Sequence, residues 1–150
     1  MKKSFTSITL ADLDNVAKEI HNIIESFGGE DGGNSYVIHL KGEMGAGKTT
    51  FTKSLAKSFN IKDDIQSPTF TIMREYNILN NKRQKLLHID AYRFENKEEG
   101  KILGLHKKTE NNNLVIIEWP ENTVSPEPNM IINIEKLQEE NLRNIYVETK

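Results

Sequence analysis

The stretch Tyr36–Phe51, reading Tyr-Val-Ile-His-Leu-Lys-Gly-Glu-Met-Gly-Ala-Gly-Lys-Thr-Thr-Phe, runs a buried-strand pattern straight into a glycine-rich turn and then a helix. Gly42 to Thr49 fits G-x-x-x-x-G-K-[ST], and each fixed position has a physical task. Gly45 and Gly47 permit backbone conformations closed to residues with side chains, so successive N–H groups can turn inward around phosphate oxygens. A helix starting near Lys48 adds its positive N-terminal end, Lys48 an ammonium for the β- and γ-phosphates, and the Thr49 hydroxyl a ligand for Mg²⁺. The candidate nucleotide contacts are therefore Gly42, Glu43, Met44, Gly45, Ala46, Gly47, Lys48, Thr49 and Thr50. An accidental glycine turn would lack the strand before the motif and the amphipathic helix after it.

A chain of 150 residues suits one domain, 1–150, with a substantial core. With 20 basic against 22 acidic side chains the net charge is −2, so no global positive field draws the chain onto nucleic acid or an anionic membrane. The absence of cysteine removes disulfides, thiolate zinc sites and a cysteine nucleophile. No apolar N-terminal core and no apolar run of membrane-spanning length is present, which leads to the expectation of a cytoplasmic protein without a membrane partner.

Lys3–Ile8 alternates weakly, as an edge strand would. Leu10, Leu13, Val16, Ala17, Ile20, Ile23 and Ile24 recur at helical spacing, predicting a helix from about Leu10 to Ser26 with Thr9 as N-cap and Asp12 as its box-like partner. A glycine-rich connector, 27–34, leads into the central strand. Helix Lys48–Phe59 places Phe51, Leu55 and Phe59 on one face and stops at Asn60. Ser67-Pro68 then enforces an extended or turn conformation and presents Thr69 on a loop; alone this reads as an inert turn, beside a nucleotide as a candidate switch. Phe70, Ile72, Tyr76 and Ile78 alternate, Asn80-Asn81 makes a turn, and Lys85–Asp90 completes a hairpin. Glu95–Asn113 reads as a short helix and a polar loop. Met130–Glu135 and Leu142–Glu148 form a terminal hairpin. The four histidines, His21, His39, His88 and His106, are too scattered for a metal cluster, so packing or solvent roles are expected of each.

Leu114–Glu118, Leu-Val-Ile-Ile-Glu, is the pattern of a buried parallel strand delivering an acid beside the phosphate loop. Phosphoryl transfer needs a carboxylate to help hold the metal, and two strand ends offer one, Asp90 and Glu118. Spacing leaves both open, and an Asp90–Arg93 salt bridge is the structural alternative for the first. Trp119 reads as a packing residue or, if exposed, a partner surface. The expected fold is α/β: a P-loop NTPase with a mixed central sheet, flanking helices and antiparallel additions.

Four blocks, Gly-Glu-Met-Gly-Ala-Gly-Lys-Thr-Thr-Phe at 42–51, Ser-Pro-Thr-Phe at 67–70, His-Ile-Asp-Ala-Tyr-Arg at 88–93 and Val-Ile-Ile-Glu-Trp-Pro at 115–120, stand in an order and spacing that resembles the TsaE (formerly YjeE) family. These are bacterial P-loop ATPases of threonylcarbamoyladenosine synthesis on tRNA. The resemblance implies ATP and Mg²⁺ as cofactors, Thr49 and Glu118 as the Mg²⁺ ligands, and Asp90 near the phosphates and needed for hydrolysis alongside Lys48. It implies that Thr69 belongs to a switch-like loop. It implies TsaD and TsaB as partners, a complex reset between turnovers by ATP hydrolysis, with tRNA met only through that complex. The chain departs from the family at Glu43-Met44, where Asp-Leu is common, and at Gly100-Lys101, where acidic or apolar helix formers are common.

Two other readings use the same loop. A small-molecule kinase would add an acceptor pocket and usually an arginine-rich lid, whereas Arg74, Arg83, Arg93 and Arg143 are dispersed along the chain. A nucleotide-gated binding protein without turnover requires phosphate binding alone.

Overall fold

The structure is a computed structural model and describes residues 1–27, 34–68, 72–79, 81–102, 104–108 and 110–150. Its described strands are β1 (Lys2–Ile8), β2 (Tyr36–Lys41), β3 (Met73–Asn77), β4 (Lys85–Asp90), β5 (Leu114–Glu118), β6 (Met130–Lys136) and β7 (Arg143–Thr149). Among the described residues these seven form one sheet in the order β1-β7-β6-β2-β5-β4-β3. The inner four, β6-β2-β5-β4, pair in parallel. β3 adds antiparallel at one edge, and β7 with β1 adds antiparallel at the other. The mixed α/β sheet and its antiparallel additions are as the sequence predicts.

Strand pleating sends alternate side chains to opposite faces. From β2, Tyr36, Ile38 and Leu40 join a large cluster with Leu13, Val16, Ala17, Ile20 and Ile24 of helix α1 (Leu13–Ser26) and Phe51 and Leu55 of helix α2 (Lys48–Ser58). Val37 joins Leu87, Ile89, Val115 and Ile117 in a smaller cluster on the other face, closed by Leu105. β5 is buried at all five positions, the mark of a central parallel strand covered on both faces.

Local departures from the sequence reading have local causes. The first turn of the expected N-terminal helix, Leu10–Asp12, is a 3-10 turn. There the Asp12 N–H donates to Thr9 O at 3.1 Å, while the Asp12 carboxylate accepts both the Thr9 N–H at 3.1 Å and its hydroxyl at 2.8 Å. β3 begins at Met73 because Ile72 has φ +68°, a left-handed conformation unusual for a β-branched residue. Phe70 and Asn80 of the expected hairpin, and residues 28–33 of the connector, lie outside the described residues. Among the described residues of the segment 95–113 there are two short helices, α3 (Glu99–Ile102) and α4 (Leu105–Lys108). Gly100, where the chain departs from the family pattern, has a packing reason: a Cβ there would run into Thr123 Oγ1.

Candidate functional site

Because β2, β4 and β5 are parallel, Gly42, Asp90 and Glu118 leave the sheet at the same end. β2 is also where the strand order reverses, with β5 on one side and β6 on the other. The crevice at such a switch point, beyond the carboxyl ends of the strands, is the usual ligand position of an open α/β sheet.

The chain leaving β2 folds into a tight loop. Gly45 and Gly47 take φ of +77° and +104°, values that strain residues with a Cβ. The Ala46 N–H closes the turn on Glu43 O at 3.0 Å. Gly47 is the N-cap of α2, so the first N–H groups of that helix lack intrahelical acceptors and lie at the positive end of the helix dipole, and Gly47, Lys48 and Thr49 line the cavity before the loop. A concavity of this kind can hold phosphate oxygens.

Lys48 is 8% exposed. Its Nζ donates to Gly42 O at 2.5 Å and lies 4.4 Å from the centre of the Trp119 ring. Burial pushes its pKa down, opposed by the negative charges of Glu118, Asp90 and Glu121. Trp119 follows Glu118 in a left-handed conformation, φ +56°, and its ring tilts against Tyr92 at 5.2 Å. The indole is therefore neither a plain core residue nor a plain surface one: it walls the site over the lysine, a role its position in the sequence does not announce.

A cavity of about 340 Å³ lies before the loop. It brings together Met44, Gly45, Gly47, Lys48, Thr49 and Thr50 with Asp90 and Glu118. Of the candidate nucleotide contacts, Gly42, Glu43 and Ala46 do not line it: Gly42 turns its carbonyl to Lys48, and Glu43 is exposed. Ala46 lines a second, more apolar cavity of about 430 Å³, which shares Gly47 and Thr50 with the first and is bounded by Ile8, Leu10 and Asn141. Thr69, the expected switch residue, lies outside the described residues. Ser67 beside it lines the first cavity. Ile72 ties that loop to the site, donating its N–H to Pro68 O at 2.6 Å and accepting the Asp90 N–H at 2.8 Å. The left-handed strain at Ile72 thus sits beside a candidate catalytic carboxylate.

Asp90 and Glu118 are register partners on adjacent parallel strands, 6% and 4% exposed. The Asp90 carboxylate accepts the Tyr92 N–H at 2.9 Å. Glu118 Oε2 meets His88 Nε2, which is wholly buried. His88 is buried, within the packing or solvent roles expected of it, but adds a contact that spacing does not announce: the His-x-Asp spacing on β4 puts both side chains on one face, and the register brings that face to Glu118. Nothing in the sequence spacing points to Arg143 either. From β7 its Nε donates to Ala46 O at 2.8 Å and its Nη2 to Gly45 O at 3.4 Å, so the far hairpin braces the loop.

A hydroxyl, Thr49, and two carboxylates, Asp90 and Glu118, open onto one cavity. This all-oxygen set suits a hard cation such as Mg²⁺, which binds through one or two carboxylates plus substrate phosphates. No group of three or more acidic, histidine or cysteine side chains among the described residues makes a complete cage. Among the same residues no helix is long and apolar enough to cross a membrane.

Residues 9–145 match the family described as threonylcarbamoyl adenosine biosynthesis protein TsaE. The tRNA threonylcarbamoyladenosine biosynthesis protein TsaE of Aquifex aeolicus is 36% identical over 118 residues, covering 77% of this chain and 79% of that protein. The protein of the same description from Haemophilus influenzae is 32% identical over 101 residues, covering 66% of this chain. The alignments span 62% of the Haemophilus relative and 49% of a Bacillus subtilis one. The crystal structure of Bacillus subtilis YdiB is similar with a TM-score of 0.73 and 25% identity, over 99% of this chain and 86% of that one.

Proposed function

The chain belongs to the TsaE family, and on that premise we propose that it is a Mg²⁺-dependent ATPase serving the synthesis of threonylcarbamoyladenosine on tRNA, in which its hydrolysis of ATP resets a TsaD–TsaB complex between turnovers. The observation that carries the proposal is the meeting of Lys48, Thr49, Asp90 and Glu118 around one cavity at the mouth of a glycine loop that opens a helix. This is the equipment of a P-loop, and the 150 residues act as one ATPase unit.

In this reading the loop N–H groups cradle the phosphates and Lys48 turns its ammonium from Gly42 O to the β- and γ-phosphates. Thr49 and Glu118 hold Mg²⁺. The metal, when bound, neutralises charge on the transferring phosphoryl group. Asp90 accepts from and orients the attacking water, its carboxylate already steadied by the Tyr92 N–H. The nucleoside runs past Gly47 and Thr50 into the more apolar cavity, whose size suits a small-molecule ligand. Thr69 and the surroundings of Trp119 meet the partner complex, so that nucleotide state is felt at the docked surface.

The test adds the isolated protein to cognate TsaD and TsaB with tRNA, a supply of threonylcarbamoyl-adenylate, ATP and Mg²⁺. Hydrolysis is slow alone and rises on mixing, and multiple-turnover modification needs this protein. No rise, with undiminished turnover in its absence, overturns the proposal, and phosphate appearing on a small acceptor would bring the kinase reading forward.

A further inference from the structure

We propose that His88 is a positioning residue for Glu118: its buried imidazole holds Oε2 of the carboxylate inward, leaving Oε1 as the oxygen presented to the phosphate cavity. The inference rests on the reading of Glu118 as a Mg²⁺-holding carboxylate.

The geometry is set by the sheet. β4 and β5 are parallel with Asp90 opposite Glu118 and His88 opposite Ile116, so His88 sits on the Glu118 face, one pleat deeper into the core. His88 is wholly buried and its Nε2 meets Glu118 Oε2. Among the described residues, His88 Nδ1 is buried without a hydrogen-bond partner. With no acceptor at Nδ1 among the described residues and a carboxylate oxygen at Nε2, the ring proton belongs on Nε2 and is donated to Glu118.

An ordinary core histidine would have both ring nitrogens satisfied or would yield to an apolar residue at little loss, because an orphaned polar atom in the core is costly. This one leaves Nδ1 orphaned while serving a single atom, on the one carboxylate that closes β5 at the cavity. A glutamate tied at one oxygen can no longer swing freely about its last torsion, so the free oxygen is oriented before any cation arrives. Partners of this kind behind a metal-holding group commonly change metal affinity by roughly 10- to 100-fold when removed.

Mn²⁺ binding to the ADP complex, followed by electron paramagnetic resonance of the free ion, tests this in His88→Leu, His88→Gln and Glu118→Gln, with ADP affinity measured separately without metal. His88→Leu weakens Mn²⁺ binding about tenfold or more and leaves metal-free ADP affinity within about twofold. His88→Gln, whose side-chain amide can offer an N–H near the position of Nε2, recovers most of the loss. Wild-type Mn²⁺ affinity in His88→Leu, or equal losses in the Leu and Gln variants, overturns the proposal. If Glu118→Gln loses Mn²⁺ while His88→Leu does not, only the role of His88 falls; if Glu118→Gln binds Mn²⁺ as wild type does, the metal reading falls with it. Should His88→Leu not fold, the ring ¹⁵N shifts of the unaltered protein decide: a proton on Nε2 with Nδ1 bare is expected, and the opposite tautomer overturns the proposal.

Discussion

Lys48 carries a positive charge into a nearly buried position, where a carbonyl and an indole face hold it. A charge-assisted bond to phosphate is stronger than either contact, so Lys48→Ala weakens ATP binding by about 1.5–3 kcal/mol, on the order of 10- to 100-fold, with the fold intact by circular dichroism. Unchanged affinity in a calorimetric titration would contradict the role given to it. Thr49→Ala and Glu118→Ala each damage Mg²⁺-dependent hydrolysis, and the double variant is little worse than either if both serve one ion. Fully additive losses would separate them into two sites. Asp90→Asn lowers turnover more than nucleotide affinity. Two histidines outside the site set a pH dependence. Burial lowers the pKa of His21 and of His39 from 6.5, opposed at His39 by its bond to Pro126 O and at His21 by the charge of Glu25. The unfolded chain then takes up protons that the folded chain refuses, so the stabilising difference is complete above 6.5 and is lost as pH falls below it. The urea midpoint should drop between pH values on either side of 6.5, and drop less in a His21→Gln, His39→Gln double variant.

α2 connects the loop to the core. Phe51 and Leu55 are wholly buried beneath it, and truncating Leu55 to alanine costs about 2–5 kcal/mol by the cavity it leaves. α1 is held from the opposite end of the sheet. There Arg83, 1% exposed, donates Nη2 to Ile24 O at 3.4 Å and Nη1 to Asn112 Oδ1 at 3.3 Å, and its guanidinium lies 5.4 Å from the Tyr36 ring centre. Its ion-pair partner Glu25 is 3.9 Å away. Removing Arg83 leaves Ile24 O and Asn112 Oδ1 short of a donor while Glu25, 30% exposed, keeps access to water, so Arg83→Ala destabilises by about 1–3 kcal/mol. It leaves the nucleotide affinity of the folded protein unchanged, because Arg83 precedes β4 and the site lies beyond its other end. Chemical denaturation and calorimetry on the same sample check both halves; a folded Arg83→Ala with impaired nucleotide binding would contradict this division. Arg143 predicts the reverse pattern: without its bonds to Ala46 O and Gly45 O the loop loses a brace, and Arg143→Ala weakens nucleotide binding more than it lowers stability.

At the scale of the molecule, the sheet gathers strand ends at one crevice while the net charge stays at −2. Affinity for tRNA from phosphate contacts alone grows with the number of basic groups that neutralise the backbone. A chain of this balance is expected not to retain tRNA by itself at near-physiological salt and to join it only with the partner complex. A salt-dependent shift of tRNA by the isolated protein in a gel would speak against that arrangement.

Sequence alone was enough for whatever is local along the chain. Residues 42–49 declare a strand, a turn that needs positive φ at Gly45 and Gly47, and a helix start, because backbone sterics and the unpaired N–H groups of a helix act over a few residues. The apolar runs ending at Asp90 and Glu118 likewise show where strands stop, whereas the roles that the family resemblance implies for the two acids remain part of the proposal. Tertiary structure decided which side chains stand behind them. His88 reaches Glu118 across 30 residues and Arg143 reaches Ala46 across 97. Neither contact follows from spacing, because each depends on which strands pair and in what register. A slip of one residue would send His88 to the other face of the sheet and away from Glu118.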